Sequence, residues 1–229
     1  MKIKLVLFDI DGTLVLTGGA GGRAMMRAFA DVFGVNGLGR SISMAGRTDA
    51  WIVGQMAARH GLPTGGATLR RFHDAYVEHL AREIHNPGPR KGVLPGVRPL
   101  LERLAARDDV FLALLTGNFE QGARIKLEYF DLWRYFECGA FGDHVEERNH
   151  LLGEAIDRAV ACGVPRIDPS DVLVIGDTPL DVAVALAGGA RSLAVATGDY
   201  TVDALRASGA DLALEDLSDE KAVLEALGW

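Results

Sequence analysis

A chain of 229 residues, 48% of them hydrophobic, can bury a sizeable core but is long for one simple domain, which suits a core carrying an insertion. Its formal charge of −7 argues against a general nucleic-acid binder, and no apolar run approaches the roughly 18 residues of a membrane span. The start, "MKIKLVLFD", lacks the apolar stretch and small-residue cleavage site of a secretory leader. The expectation is a soluble cytoplasmic protein, monomer or homodimer, with no nucleic-acid or membrane partner. Cys138 and Cys162 have no metal-ligand spacing and read as small core residues in a reducing compartment.

In chain order, Lys4–Phe8 is a short continuous apolar run, the pattern of a strand covered on both faces. A glycine-rich loop, "GGAGG", precedes helical spacing over Arg23–Phe33, and further helical patterns cover roughly Thr48–Arg59 and Thr68–Ile84. No strand is expected among these, so residues 16–90 read as an all-helical insert. That insert holds nine arginines, no lysine and five acids, so the acidic excess lies in the rest of the chain. A basic insert beside an acidic body suits the capture of a small anion, although solvation of helix faces accounts for most of the arginines. A Pro/Gly-rich joint, "HNPGPRKGVLPGV", follows.

Beyond it the rhythm changes. Strands are expected at Val110–Thr116, within "CGAFG", at Val172–Gly176, at Ser192–Ala196 and in "DLALE". Helices are expected at Pro99–Arg107, Phe119–Tyr129, His150–Ala161, Leu180–Ala187, Val202–Ala207 and Glu220–Leu227. The alternation implies a parallel sheet with helices on both faces. In such sheets ligands bind beyond the carboxyl ends of the strands, so polar residues directly after apolar strands are the candidates.

Three clusters meet that condition. Asp9-Ile10-Asp11-Gly12-Thr13 follows the first strand, and carboxylates two residues apart on an extended chain point the same way. One can attack phosphorus while the other handles protons. An Asx-turn or a helix cap explains one such Asp, not two followed by Gly-Thr. Thr116-Gly117-Asn118 follows "VFLALL" and offers a hydroxyl, an accessible backbone amide and a side-chain amide to phosphate oxygens; by itself it reads more readily as Thr116 or Asn118 capping the next helix. Gly176-Asp177-Thr178-Pro179-Leu180-Asp181 follows "VLVI". Its two acids, four apart across a helix start, can reach one divalent cation; an Asp177 N-cap before proline is the structural alternative and leaves Asp181 unexplained.

DxDGT, TGN and GDTPLD, in this order and each after an apolar strand, resemble the haloacid dehalogenase superfamily over nearly the whole chain. The resemblance implies a Rossmann-like α/β core, residues 1–15 and 91–229, with a helical cap, residues 16–90, of the phosphoglycolate-phosphatase-like type. It implies Asp9 as the nucleophile that becomes an aspartyl-phosphate, and Asp11 as the acid that protonates the leaving oxygen and later activates water. Thr116, Gly117 and Asn118 would hold the phosphoryl group. Asp9, the main-chain carbonyl of Asp11, and Asp177 would ligate Mg²⁺, with Asp181 in support. Asp11 separates this chain from the dehalogenase branch, which lacks the second acid. The lysine-free insert separates it from the phosphonate-cleaving branch.

The sequence departs from the family in lacking the usual Lys-Pro of a third motif; the region reads "FGDHVEERNHLLGEAIDRA". Arg148 is assigned that role, with Lys126 the alternative, although a solvated helix residue is the simpler reading of Lys126. In the cap, "MAGRTDAW" resembles the loop where related caps meet substrate. Arg47 is a candidate for the substrate's far end and Arg23 a further one, while Thr48 or Asp49 reads as a helix cap and Trp51 as core. His60, His73, His79 and His85 show no metal spacing and read mostly as surface residues. The implied reaction is hydrolysis of a small phosphate monoester, phosphoglycolate first among candidates. A sugar-phosphate mutase of the same branch, or a non-catalytic receiver-like phosphate-binding module, is the alternative.

Overall fold

The computed structural model describes residues 4–35, 42–143 and 147–228. Arg40 of the insert lies outside them. Six parallel strands form one sheet: β1 (Lys4–Phe8), β4 (Val110–Leu115), β5 (Gly139–Ala140), β6 (Val172–Gly176), β7 (Arg191–Val195) and β8 (Leu212–Leu214). Their order is β5-β4-β1-β6-β7-β8. The apolar runs are continuous because both faces are covered. Leu5 and Leu7 of β1 join one core, with Ala113, Leu115, Val172 and Val174. Val6 and Phe8 join the opposite core, with Leu112, Leu114, Leu173 and Ile175. Helices α4 (Val97–Ala105), α5 (Glu120–Tyr129), α6 (Leu151–Ala161), α7 (Pro179–Gly188), α8 (Val202–Ala207) and α9 (Glu220–Ala226) connect and cover the strands. Every expected strand of this α/β core is present, and the helices differ from the expected bounds only at their ends.

Between β1 and β4 the chain forms α1 (Ala20–Phe33), α2 (Asp49–Arg59) and α3 (Gly66–Glu83). Phe29, Met56, Phe72, Tyr76 and Leu80 centre a separate apolar cluster, which Phe119 of the sheet side enters. Two features of this region differ from expectation. A short antiparallel ribbon, β2 (Val15–Leu16) with β3 (Gly92–Val93), ties the two connecting segments together; two-residue strands carry too little pattern to be read from sequence. Only Gly18 and Gly19 of "GGAGG" form a turn, since Gly21 and Gly22 lie within α1. The connecting segments touch: a Cβ on Gly88 would lie 2.0 Å from the Gly18 carbonyl oxygen.

Cys162 is not a core residue. It ends α6 exposed to solvent, beside half-buried Cys138, whose thiol is pushed up to about 12 by burial and by its neighbour. His60 and His85 are exposed, while His73 and His79 are half-buried beside Asp74 and Asp31. No helix among the described residues is long and apolar enough to cross a membrane.

Candidate active site

The sheet's carboxyl end carries the site. Asp9 continues β1 by donating its amide to the Ile175 carbonyl at 2.9 Å, so its side chain leaves the strand where β1 meets β6. This is where the strand order turns, with β4 on one side of β1 and β6 on the other, and a crevice opens there. Gly12, at φ 85°, reverses the chain directly after Asp11; a Cβ there would lie 2.4 Å from an Asp177 carboxylate oxygen. Thr13 then donates its hydroxyl to Asp177 Oδ1 at 3.2 Å.

A cavity of about 470 Å³ lies under the helical insert. Asp9, Asp11, Gly117, Asn118, Asp177, Arg148, Lys126 and Arg47 line it. Asp9, Asp177 and Asp181 are buried, and each offers a carboxylate oxygen within 4.8 Å of the others. Such proximity is costly without a cation. Burial, opposed by Arg148 but reinforced by Asp181 and Asp11, pushes Asp9 up to about 6. Burial and the Asp181 and Asp9 charges push Asp177 well above the usual carboxylate range. A hard oxygen donor set of this kind fits Mg²⁺.

Asp181 and Thr116 hold places one step back from the cavity. Asp181 Oδ2 accepts from the Thr178 amide and hydroxyl in a capping box at the start of α7, and Oδ1 accepts from Arg148. The N-cap of α7 is therefore Thr178, not Asp177. Thr116 is fully buried, and its Oγ1 accepts from Asn118 Nδ2 at 2.8 Å, orienting that amide. Neither Thr116 nor Asn118 caps α5. Its first amides instead go to acids elsewhere, Phe119 N to Asp49 Oδ2 and Glu120 N to Asp143 Oδ2, both at 2.9 Å.

Both candidate third-motif cations are buried in the site, on different acids. Arg148 places one guanidinium nitrogen 3.3 Å from Asp9 Oδ1 and on Asp181, and the other 2.9 Å from the Gly46 carbonyl of the insert. Among the described residues its Nε, which is buried, finds no hydrogen-bond partner. Burial by itself lowers the Arg148 pKa, but Asp181, Asp9 and Asp177 outweigh it and keep the group charged. Lys126 is not solvated: its ammonium donates to Asp11 Oδ2 at 2.5 Å and to Asn118 Oδ1 at 2.6 Å. The signal was available, because Lys126 shares the buried stripe of Gly122, Ala123 and Leu127 on α5.

Of the insert's candidates, Arg47 lies on the cavity wall with its guanidinium 4.5 Å from the centre of the Trp51 ring. Arg23 lies off the cavity lining, held by Glu83 at 2.6 Å and the Gly18 carbonyl at 2.7 Å, so the structure gives it to the base of the insert. Thr48 caps α2 as expected, with its side chain accepting from Trp51 N. Asp49 does more than cap. Besides binding the Phe119 amide, it donates its own amide to the Gly117 carbonyl at 2.7 Å, seating the insert on the TGN loop. That seat needs glycine, as a Cβ on Gly117 would lie 2.2 Å from the Arg47 carbonyl oxygen.

The family model for haloacid dehalogenase-like hydrolases matches residues 3–189, and the chain belongs to that family. It is 30% identical over 229 residues to a phosphoglycolate phosphatase of Chromobacterium violaceum, covering 95% of this chain and 94% of that one. It is 29% identical to phosphoglycolate phosphatase 1 of Pseudomonas aeruginosa, covering 85% of this chain and 70% of the relative. Among solved structures, one from Bacteroides vulgatus provisionally named a β-phosphoglucomutase shares the fold, with a TM-score of 0.69 at 22% identity over 99% of this chain and 89% of that one. The protein is an enzyme, a phosphatase of the haloacid dehalogenase-like family.

Proposed function

We propose that the protein is a Mg²⁺-dependent phosphatase acting on a small phosphate monoester, phosphoglycolate first among candidates, through an aspartyl-phosphate on Asp9. The observation that carries this reading is the placing of Asp9 in one cavity with Asp11, Asp177 and Asn118, its carboxylate held by Arg148. Asp9, Asp177 and the main-chain carbonyl of Asp11 would hold the Mg²⁺, with Asp181 positioned behind them. When bound, the cation neutralises the clustered carboxylates and draws charge from the phosphoryl oxygens.

Asp9 attacks phosphorus, Arg148 and Asn118 offset the charge on the phosphoryl oxygens, and Asp11 gives a proton to the departing alcohol. In the second step Asp11, now a carboxylate, takes a proton from water, which cleaves the aspartyl-phosphate. Residues 16–90 act as a cap, and the crossing of its two linkers at Gly18 and Gly88 serves as the hinge. Arg47 on the cap wall faces the substrate's far end, which suits a carboxylate. The names of the two phosphoglycolate phosphatase relatives support that first choice of substrate.

The test is phosphate release from a panel of small esters including 2-phosphoglycolate, with Mg²⁺ and with chelator. Chelator-sensitive release with 2-phosphoglycolate among the best esters is the expected result. The alternative, a sugar-phosphate mutase, draws on the seating of the insert across the site through Asp49 and Gly46, because excluding water favours transfer to a second hydroxyl. Isomerisation of a sugar phosphate without phosphate release would establish it and overturn the phosphatase reading.

A further inference from the structure

Asp11 is held asymmetrically. Its Oδ2 accepts from Lys126 at 2.5 Å and from Asn118 Nδ2 at 2.9 Å. Among the described residues no hydrogen bond reaches Oδ1, and the side chain, 43% exposed, faces the cavity. Asn118 is itself fixed at both ends, by Thr116 Oγ1 and by the same lysine. Lys126 is 5% exposed, and the insert closes over it. A Cβ added to Gly21 of α1 would lie 3.3 Å from its nitrogen.

We propose that Lys126 is a positioning residue for acid catalysis: with Asn118 it clamps one oxygen of Asp11, so that the transferable proton sits on the other, facing the leaving group. An oxygen that already accepts two N–H donors is a poor place for a proton, and an ammonium beside it makes it poorer. The proton of the acid form is thereby confined to Oδ1. When the P–O bond to the alcohol breaks, its electron pair goes to the leaving oxygen, the Oδ1–H bond breaks, and that proton forms the alcohol's O–H. Asp11 is left a carboxylate, held by the same two donors. Arg148 and Lys126 thus divide one task, the first serving the nucleophile and the second the acid. The assignment rests on the proposed role of Asp11.

The experiment measures kcat/KM with Mg²⁺ for phosphate monoesters whose leaving groups range from an alkyl alcohol to 2,4-dinitrophenol. That parameter reports the steps through departure of the alcohol, and only poor leaving groups need the proton. For Lys126→Met the expected loss is about 10- to 100-fold on alkyl phosphates and under about 3-fold on the dinitrophenyl ester. Gly21→Ala raises helix propensity while pressing a methyl toward the ammonium, so it keeps the fold and shows the same slope at smaller amplitude. It decides the matter if Lys126→Met does not fold. An equal loss across the series would assign Lys126 to the phosphoryl group or to the fold and overturn the proposal, as would undiminished turnover of alkyl esters. Absence of turnover by the unmodified protein overturns the phosphatase reading itself, whereas turnover with a flat series overturns this assignment alone.

Discussion

The sheet core and the helical insert solve opposite problems. The core gathers buried acids, Asp9 and Asp177 directly after strands whose own side chains are almost wholly apolar and Asp181 in the first turn of α7. The insert packs its own apolar cluster and meets the site through a few polar contacts: Arg148 to the Gly46 carbonyl, and Asp49 to Gly117 and to the Phe119 amide. A region held by packing is rigid, and one seated by a handful of hydrogen bonds can leave and return at modest cost. The core keeps the chemistry fixed, and in the proposed cap role the insert is the part that would open. The contrast is not absolute, since Phe119 of the core packs into the insert's cluster and Ile125 of α5 packs against it where the two regions join.

The largest expected effect separates chemistry from fold within the core. Asp9→Asn should lower turnover at least about 10⁴-fold, because the nucleophile is gone. Its thermal melting without metal should be unchanged or higher, because the buried carboxyl, pushed up to about 6, opposes folding at neutral pH. Retained turnover would exclude Asp9 as nucleophile. Next, Arg148→Ala strikes both regions at once, as it removes the partner of Asp9 and Asp181 and the donor to Gly46. Turnover should fall about 10²- to 10³-fold, with KM raised and the loss independent of the leaving group. A loss that grows with leaving-group pKa would give Arg148 the role proposed for Lys126.

The smallest effect concerns the seat of the insert. Burial, opposed by Lys126 and by the Phe119 amide, raises Asp49 from its ordinary value of 3.8 to about 6. Between those values the unfolded chain has lost this proton and the folded chain keeps it. The raised group therefore subtracts stability progressively as pH rises through the window, and most fully above about 6. Asp49→Asn does not titrate, yet its amide oxygen can still accept from Phe119. Relative to the parent, the variant should gain up to about 1–3 kcal/mol as pH rises from about 4 to 7. Melting curves across that range check it, and a constant difference would show that Asp49 is not a buried acid of the closed form.

Legibility followed the range of the interaction. The strands were readable because continuous apolar runs such as "KLVLF" and "VLVIG" are what two covered faces demand. The acids at their ends were readable because a strand end in a parallel sheet is where ligands bind. The spacing of Asp181 to Asp177 marks it as a supporting acid, and its capping box with Thr178 and its pairing with Arg148 hold it one step back from the cavity. The TGN motif marks Thr116 as a phosphate contact, but it lies one step back, orienting Asn118. The place of Arg23 just beyond the glycine-rich loop suggests a substrate contact, but the residue pairs with Glu83.

By itself the sequence determined the α/β core, the helical insert and the row of motifs, since each rests on periodicity or on residues adjacent in the chain. Only the tertiary structure decided which cation serves which acid. Arg148 meets Asp9, as its third-motif assignment implied, but Lys126 meets Asp11 from 115 residues away, which no motif marks. It alone showed that Asp49 locks the insert onto the TGN loop. A lone lysine or aspartate has no periodicity to betray it, and its partner is chosen by how helices pack above the sheet. Where such groups are buried, the cost of an unpaired charge fixes the pairing once the fold brings the two together.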